Sequence, residues 1–248
     1  MIAARQIAFG RAAGKKEEQT AYWGLCFTAE EAGSTVAMQA VGRGAPAVTL
    51  ETSFDGEIWE PFSVGETTIT LPNVGDKVYF RAGEGGNTAM ASSNRDYNKF
   101  SIITGRISAS GNIMSLLNGD APDSIMASFC YCSMFRDCTS LAQAPELPAT
   151  TLDKSCYANM FSGCTSLAQA PELPATTLVT ACYANMFNGC EKVSLISTRQ
   201  TSFTGCTNWL PGVAQSGIFY CPTSLGTDET IVRGINACPE GWTVINED

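Results

Sequence analysis

Fifteen residues, CTSLAQAPELPATTL, fill positions 138–152 and recur without a change at 164–178. A catalytic site needs one copy of itself. A stack of coils needs several, because each coil must fit against its neighbour. The duplication belongs to a longer period. CYCSMFRDCTSLAQAPELPATTLDKS (130–155) is followed by CYANMFSGCTSLAQAPELPATTLVTA (156–181) and then by CYANMFNGCEKVSLISTRQTSFTG (182–205). Cys130, Cys156 and Cys182 stand 26 residues apart, as do Cys138, Cys164 and Cys190. The third copy decays after Cys190.

Within each copy, Cys-Tyr-x-x-Met-Phe-x-x-Cys has helical spacing. Cys130, Met134 and Cys138 fall on one stripe, with Tyr131 and Phe135 beside it. Thr150 or Thr151 is placed to cap the helix of the next coil. SLAQAPELP then supplies a short strand, with Leu141, Ala144 and Leu147 inward and Gln143 and Glu146 outward. Pro145 and Pro148 lack the N–H a ladder needs, so this strand is expected to be short.

The text before the repeats reads as β structure. TVAMQAV (35–41), AVTLETS (47–53), TTITL (67–71) and KVYFRA (77–82) alternate apolar and polar residues between turn signals, the pattern of an antiparallel sandwich. SIITGRISASGNIMSLL (101–117) reads as its closing strands and link. SFDGEIW (53–59) resembles an aspartate-box hairpin. Asp55 is expected to cap the turn, Gly56 to take a positive φ and Trp59 to pack beneath, which is a structural role.

The fold class expected is therefore mixed β with α/β repeats. An N-terminal antiparallel, immunoglobulin-like β-sandwich precedes a short leucine-rich-repeat solenoid of about three coils with a C-terminal cap. The boundaries expected are an arm over 1–19, the sandwich over 20–118, the solenoid over 119–205 and the cap over 206–248. Trp209, Phe219 and Trp242 serve as apolar plugs of the cap.

Charge and chemistry narrow the function. The net charge is −9, which disfavours nucleic acid and anionic lipid surfaces. Arg5, Arg11, Lys15 and Lys16 put +4 in the first sixteen residues and leave −13 for the rest. This arm either docks on an acidic partner or is a solvated terminus. No apolar run approaches the ~20 residues that span a bilayer. MIAARQIAFGRAAGKKEEQ lacks the apolar core of a secretory signal. The chain is expected to stay in the cytoplasm or to leave by another route, such as inside a virus particle.

The chain has no histidine, which removes Ser-His-Asp triads, Cys-His dyads and histidine metal sites together. Most of the eleven cysteines fall on repeat positions and are expected to be free, buried, apolar groups. Cys221 and Cys238, outside the period, are the pair best suited to a disulfide. Cys130, Cys132 and Cys138 form no expected metal site, because Cys132 becomes Ala158 and Ala184 in the later copies. No cofactor and no metal are expected. A glycosidase would need two carboxylates ~5–10 Å apart, and no pair is marked out.

CYANMFSGCTSLAQAPELPATTL is similar to the cysteine-containing leucine-rich repeats of surface proteins from gut and oral anaerobes. The tail NWLPGVAQSGIFYC…GWTV and the β domain closing with GNIMSLL resemble the same family, whose modules also occur in proteins of phages of those bacteria. The resemblance spans about residues 20–248 and implies adhesion to matrix, cells or glycans, with no catalytic residue to carry over. With no secretory signal read at the start, the resemblance points to a phage virion component, a head or tail fibre or a decoration protein. The alternative is a bacterial surface adhesin; a carbohydrate-active enzyme ranks below both. In the virion reading Arg5, Arg11, Lys15 and Lys16 attach to other virion proteins. Gln143, Glu146, Gln169 and Glu172, which repeat in register, face a bacterial surface or glycan ligand. No nucleic acid and no membrane insertion are implied, and homo-oligomers are compatible with the reading.

Overall fold

The structure, a computed structural model, describes residues 24–117 and 127–247, together with the backbone of 5–7. It is mostly β. The strands are β1 (Arg5–Ile7), β2 (Leu25–Ala29), β3 (Ser34–Val41), β4 (Leu50–Ser53), β5 (Glu60–Phe62), β6 (Thr67–Leu71), β7 (Lys77–Ala82), β8 (Tyr97–Ile102) and β9 (Ile107–Ser110). Four more follow in the repeat region: β10 (Leu141–Gln143), β11 (Leu195–Ser197), β12 (Ile218–Cys221) and β13 (Thr243–Asn246). They form three sheets, ordered β1-β6-β3-β8, β10-β9-β2-β7-β4-β5 and β11-β12-β13. In the first two, every pairing among β2–β9 is antiparallel, as the alternating text predicts. Phe27 and Phe80 of the second sheet meet Phe100 of the first at 4.8 and 5.1 Å between ring centroids. The two sheets thus bury their apolar faces against each other.

The helix expected in each copy is absent. Among the described residues the only helical turns are two short 3-10 segments, Ile113–Leu116 and Thr223–Leu225. The Cys-Tyr-x-x-Met-Phe segment is instead a run of tight turns with a left-handed residue at every fourth position. Phe129, Ser133 and Asp137 have φ near +60° (62, 61 and 61°), and Ser155 and Asn159 follow in the second copy at 55 and 56°. Gly163 and Gly189 take the corresponding corner at 79 and 77°, where glycine bears no Cβ penalty. A period of four looks like 3.6 on the page, and that is why the text reads as helical.

The hydrogen bonds explain why turns win. In a helix every N–H is spent inside its own segment. Here the N–H groups alternate. Those of Cys130, Cys132, Met134, Arg136 and Cys138 close turns onto residues three positions back. Those of Phe129, Tyr131, Ser133, Phe135 and Asp137 donate to Lys154, Cys156, Ala158, Met160 and Ser162 of the next coil. The second coil repeats this from Ser155, Tyr157, Asn159, Phe161 and Gly163 onto Thr180, Cys182, Ala184, Met186 and Asn188. Each coil is therefore bonded to the next through its turn side. Side chains stack in the same columns. Phe135, Phe161 and Phe187 lie 5.4 and 5.6 Å apart with planes 5° from parallel, and Tyr131, Tyr157, Tyr183 and Trp209 follow at 5.9, 6.2 and 6.2 Å.

The strand side is less regular. Leu141 and Leu147 are fully buried and Ala144 partly so, with Gln143 and Glu146 exposed, as expected. Of the two identical copies only the first forms a named strand, β10, which pairs in parallel with β9 and so extends the second sheet; the third copy holds β11. No backbone hydrogen bond joins 141–149 to 167–175 among the described residues, where Pro145, Pro148, Pro171 and Pro174 withhold donors. The ladder resumes from the second coil to the third, with Ala170 N–H to Leu195 O (3.0 Å) and Leu173 N–H to Ser197 O (3.1 Å).

Residues 206–247 continue the stack. β12 and β13 add to β11 in parallel, Ile196 pairing with Phe219 and Phe219 with Val244. Trp209, Phe219 and Trp242 are buried, with Trp209 sealing the tyrosine column.

Candidate functional site

The four exposed repeat positions do not converge on one cavity. Gln143 ends β10. Glu146 is fixed through its backbone, its N–H donating to Gly111 O (2.8 Å) while its carbonyl accepts from Ile113 N–H (3.2 Å). Glu172 stands 3.9 Å from Arg199, which also lies 3.7 Å from Glu247. Gln169 is exposed on the second coil. They form an open polar surface along the stack. Of the arm residues, Arg5 begins β1, beside Thr67 of β6. Arg11, Lys15 and Lys16 lie outside the described residues.

A groove of about 500 Å³ lies between residues 46–49 and 86–92. Two asparagines create it. Asn98, 1 % exposed, donates its amide to Pro46 O (2.9 Å) and Met90 O (3.1 Å). Asn87 accepts from Thr49 N–H (2.9 Å) and donates to the carbonyls of Thr49 and Leu116 (both 2.8 Å). These side chains hold two extended segments side by side, with the groove between them. Its lining of Pro46, Ala47, Val48, Thr49, Thr88 and Ala89 contains no carboxylate and no cation. Such a cleft can accept a neutral surface and has no group to move a proton. Neither asparagine is marked out in the sequence, since a lone Asn beside a strand carries no pattern.

The aspartate-box segment behaves as a turn. Asp55 Oδ1 accepts from Ser53 Oγ and from the N–H groups of Glu57 and Ile58, each at 2.9 Å, and Gly56 has φ +80°. The Ile58 and Glu57 N–H groups hold the carboxyl below the usual range, which leaves it a fixed anion within the loop. Trp59 is half-buried under the Arg81 guanidinium, 4.1 Å from the ring centroid, and Arg81 is bonded to Glu51 (2.7 Å).

All eleven cysteines are free and buried, and Cys221 and Cys238 form no disulfide. Burial pushes Cys130, Cys138 and Cys190 up to about 12, so none is poised as a nucleophile. Cys132 heads a column with Ala158 in a small second core beside Ala91 and Tyr97. No group of three or more Asp, Glu or Cys among the described residues is arranged to hold a metal ion. No described helix is long and apolar enough to cross a membrane.

None of the protein-family models, curated proteins or solved structures compared with the chain matches it.

Proposed function

We propose that the chain is a non-enzymatic binding and structural protein, a phage virion component of the fibre or decoration type. In this reading the paired N-terminal sheets are an immunoglobulin-like sandwich. The coils are a variant leucine-rich-repeat solenoid in which tight turns replace the helix, and it presents an adhesive surface toward bacterial glycans. The N-terminal segment with Arg5, Arg11, Lys15 and Lys16 holds the protein to the particle.

The observation that carries the reading is where the polar side chains go. One apolar cluster runs from Leu25 to Val244, beside the small second core at Cys132. Gln143, Glu146, Gln169 and Glu172 are exposed on the outside of the stack. A stack of coils with an open, repeating polar flank suits a repetitive ligand. Its groove lacks the paired carboxylates that glycoside hydrolysis requires.

Antibody detection in density-purified phage particles tests the location. Its presence at fixed stoichiometry supports the proposal. Absence from particles together with labelling of intact bacterial cells replaces it with a surface adhesin. A glycan array tests the ligand: binding lost in Gln143→Ala/Gln169→Ala places it on the coil flank.

A further inference from the structure

A stack of strands has to end, and its last strand presents a row of N–H and C=O groups to solvent. Among the described residues the last strand is β13. The N–H groups of Thr243 and Glu247 point into the stack, to Gly217 O (2.9 Å) and Cys221 O (3.0 Å). By the alternation of a parallel ladder, those of Val244 and Asn246 point out of it.

Part of the outward edge is already occupied. Val244 N–H donates to Asp228 Oδ1 (3.1 Å). The same oxygen accepts from Arg233 Nη2 (2.7 Å). Arg233 Nη1 donates to the carbonyls of Trp242 (2.7 Å) and Pro239 (3.1 Å). One carboxylate thus takes a donor of the edge and one guanidinium takes an acceptor beside it, both through charge-assisted bonds. The Asp228 side chain is 59 % exposed, so as an ion pair this contact contributes little to stability. What it does is fill one donor and one acceptor position that an added strand would use.

The surroundings make that position consequential. Val232, Ile235 and Ile245, three of the six exposed large aliphatic side chains of the described residues, belong to this last layer, at 63, 60 and 38 %. The inner edges of the stack have no such exposure, because the next coil covers them.

We propose that Asp228 and Arg233 form a stop that closes the coil stack and keeps β13 from pairing with β13 of a second copy. A second copy is the strand the exposed edge would recruit. Two identical edges related by a two-fold axis complement each other, and in a purified solution no other strand is available.

Asp228→Ala/Arg233→Ala leaves the net charge unchanged and tests this by sedimentation velocity over a range of concentrations. The variant is expected to show about twice the mass of the wild-type species, since an isologous contact closes at two copies. Adding Ile245→Lys, a charge on the edge, is expected to restore the wild-type mass. A variant with a native circular-dichroism spectrum that sediments like the wild type overturns the proposal, as does association that Ile245→Lys leaves intact. If the double variant does not fold, amide exchange of the wild type decides. Val244 N–H is expected to exchange about tenfold more slowly than Asn246 N–H. Equal rates overturn the proposal.

Discussion

Phe100 of β8 stands to Cys138 as Phe135 stands to Cys164. The Cys138 thiol donates to the Phe100 carbonyl at 3.0 Å, and the Cys164 and Cys190 thiols donate to the carbonyls of Phe135 and Phe161 at the same distance. The backbone agrees. Phe100 N–H donates to Met134 O, as Phe135 does to Met160 and Phe161 to Met186. The Phe100 ring lies 5.5 Å from Phe135, stacked at 17°. An edge strand of the first sheet therefore acts as the coil before the first coil. On the other side β10 pairs with β9, so the coil stack covers one edge of each N-terminal sheet.

Phe100→Ala should then weaken the sheets and the coils together. Loss of a buried phenylalanine costs about 3–5 kcal/mol. Calorimetry is expected to show one transition shifted down as a unit. Two separated transitions would mean that the junction does not couple them.

The tyrosine column gives a contrast between neighbours. Tyr131 Oη donates to Ile113 O at 3.1 Å, whereas Tyr157 Oη is buried without a hydrogen-bond partner among the described residues. A satisfied buried bond contributes about 1 kcal/mol, and an unsatisfied buried hydroxyl costs about 1–3 kcal/mol. Urea titration should find Tyr131→Phe destabilised by about 1 kcal/mol and Tyr157→Phe neutral or more stable. Equal losses in both would show that the Tyr157 hydroxyl has a partner.

Two left-handed glycines should respond differently to alanine. At Gly205, φ +86°, a Cβ would approach Val179 O closely, and the backbone must shift. At Gly189, φ +77°, the nearest atom would be 3.7 Å away, so the cost is conformational alone. Gly189→Ala is expected to cost about 1 kcal/mol and Gly205→Ala more than 3 kcal/mol, read from denaturation midpoints.

Alkaline pH should unfold the protein steeply. Burial holds the Cys130, Cys138 and Cys190 thiols near 12, against an ordinary value of 9.0. Above pH 9 the unfolded chain loses these protons and the native chain keeps them. Stability is therefore full below about pH 9 and falls up to about pH 12, by about 1.4 kcal/mol per pH unit for each such thiol. Stability measured from pH 7 to 11 checks this. Burial raises the other thiols too, so serine at all three positions should make the fall shallower without abolishing it, and an unchanged slope would assign it to other groups.

The duplicated text determined that successive coils place the same residues in the same places. Register follows from identity: in a chain that repeats every 26 residues, Tyr131 and Phe135 meet their own copies Tyr157 and Phe161 on the side of the next coil. The alternation in 35–41 and 67–71 likewise set which residues of the first sheet face inward, Val36, Met38, Ile69 and Leu71 among them, because strand periodicity is local. Three things were decided only in three dimensions. Turns replaced the helix because half of the N–H groups found carbonyls one coil away, which a single copy cannot reveal. The first coil found its template in Phe100, which shares no repeat text with Phe135, since an edge strand offers bonds and a ring whatever its sequence. Asp228 and Arg233 became the end of the stack because closure depends on which groups a last strand leaves open, and that is known only once every other strand has its partner.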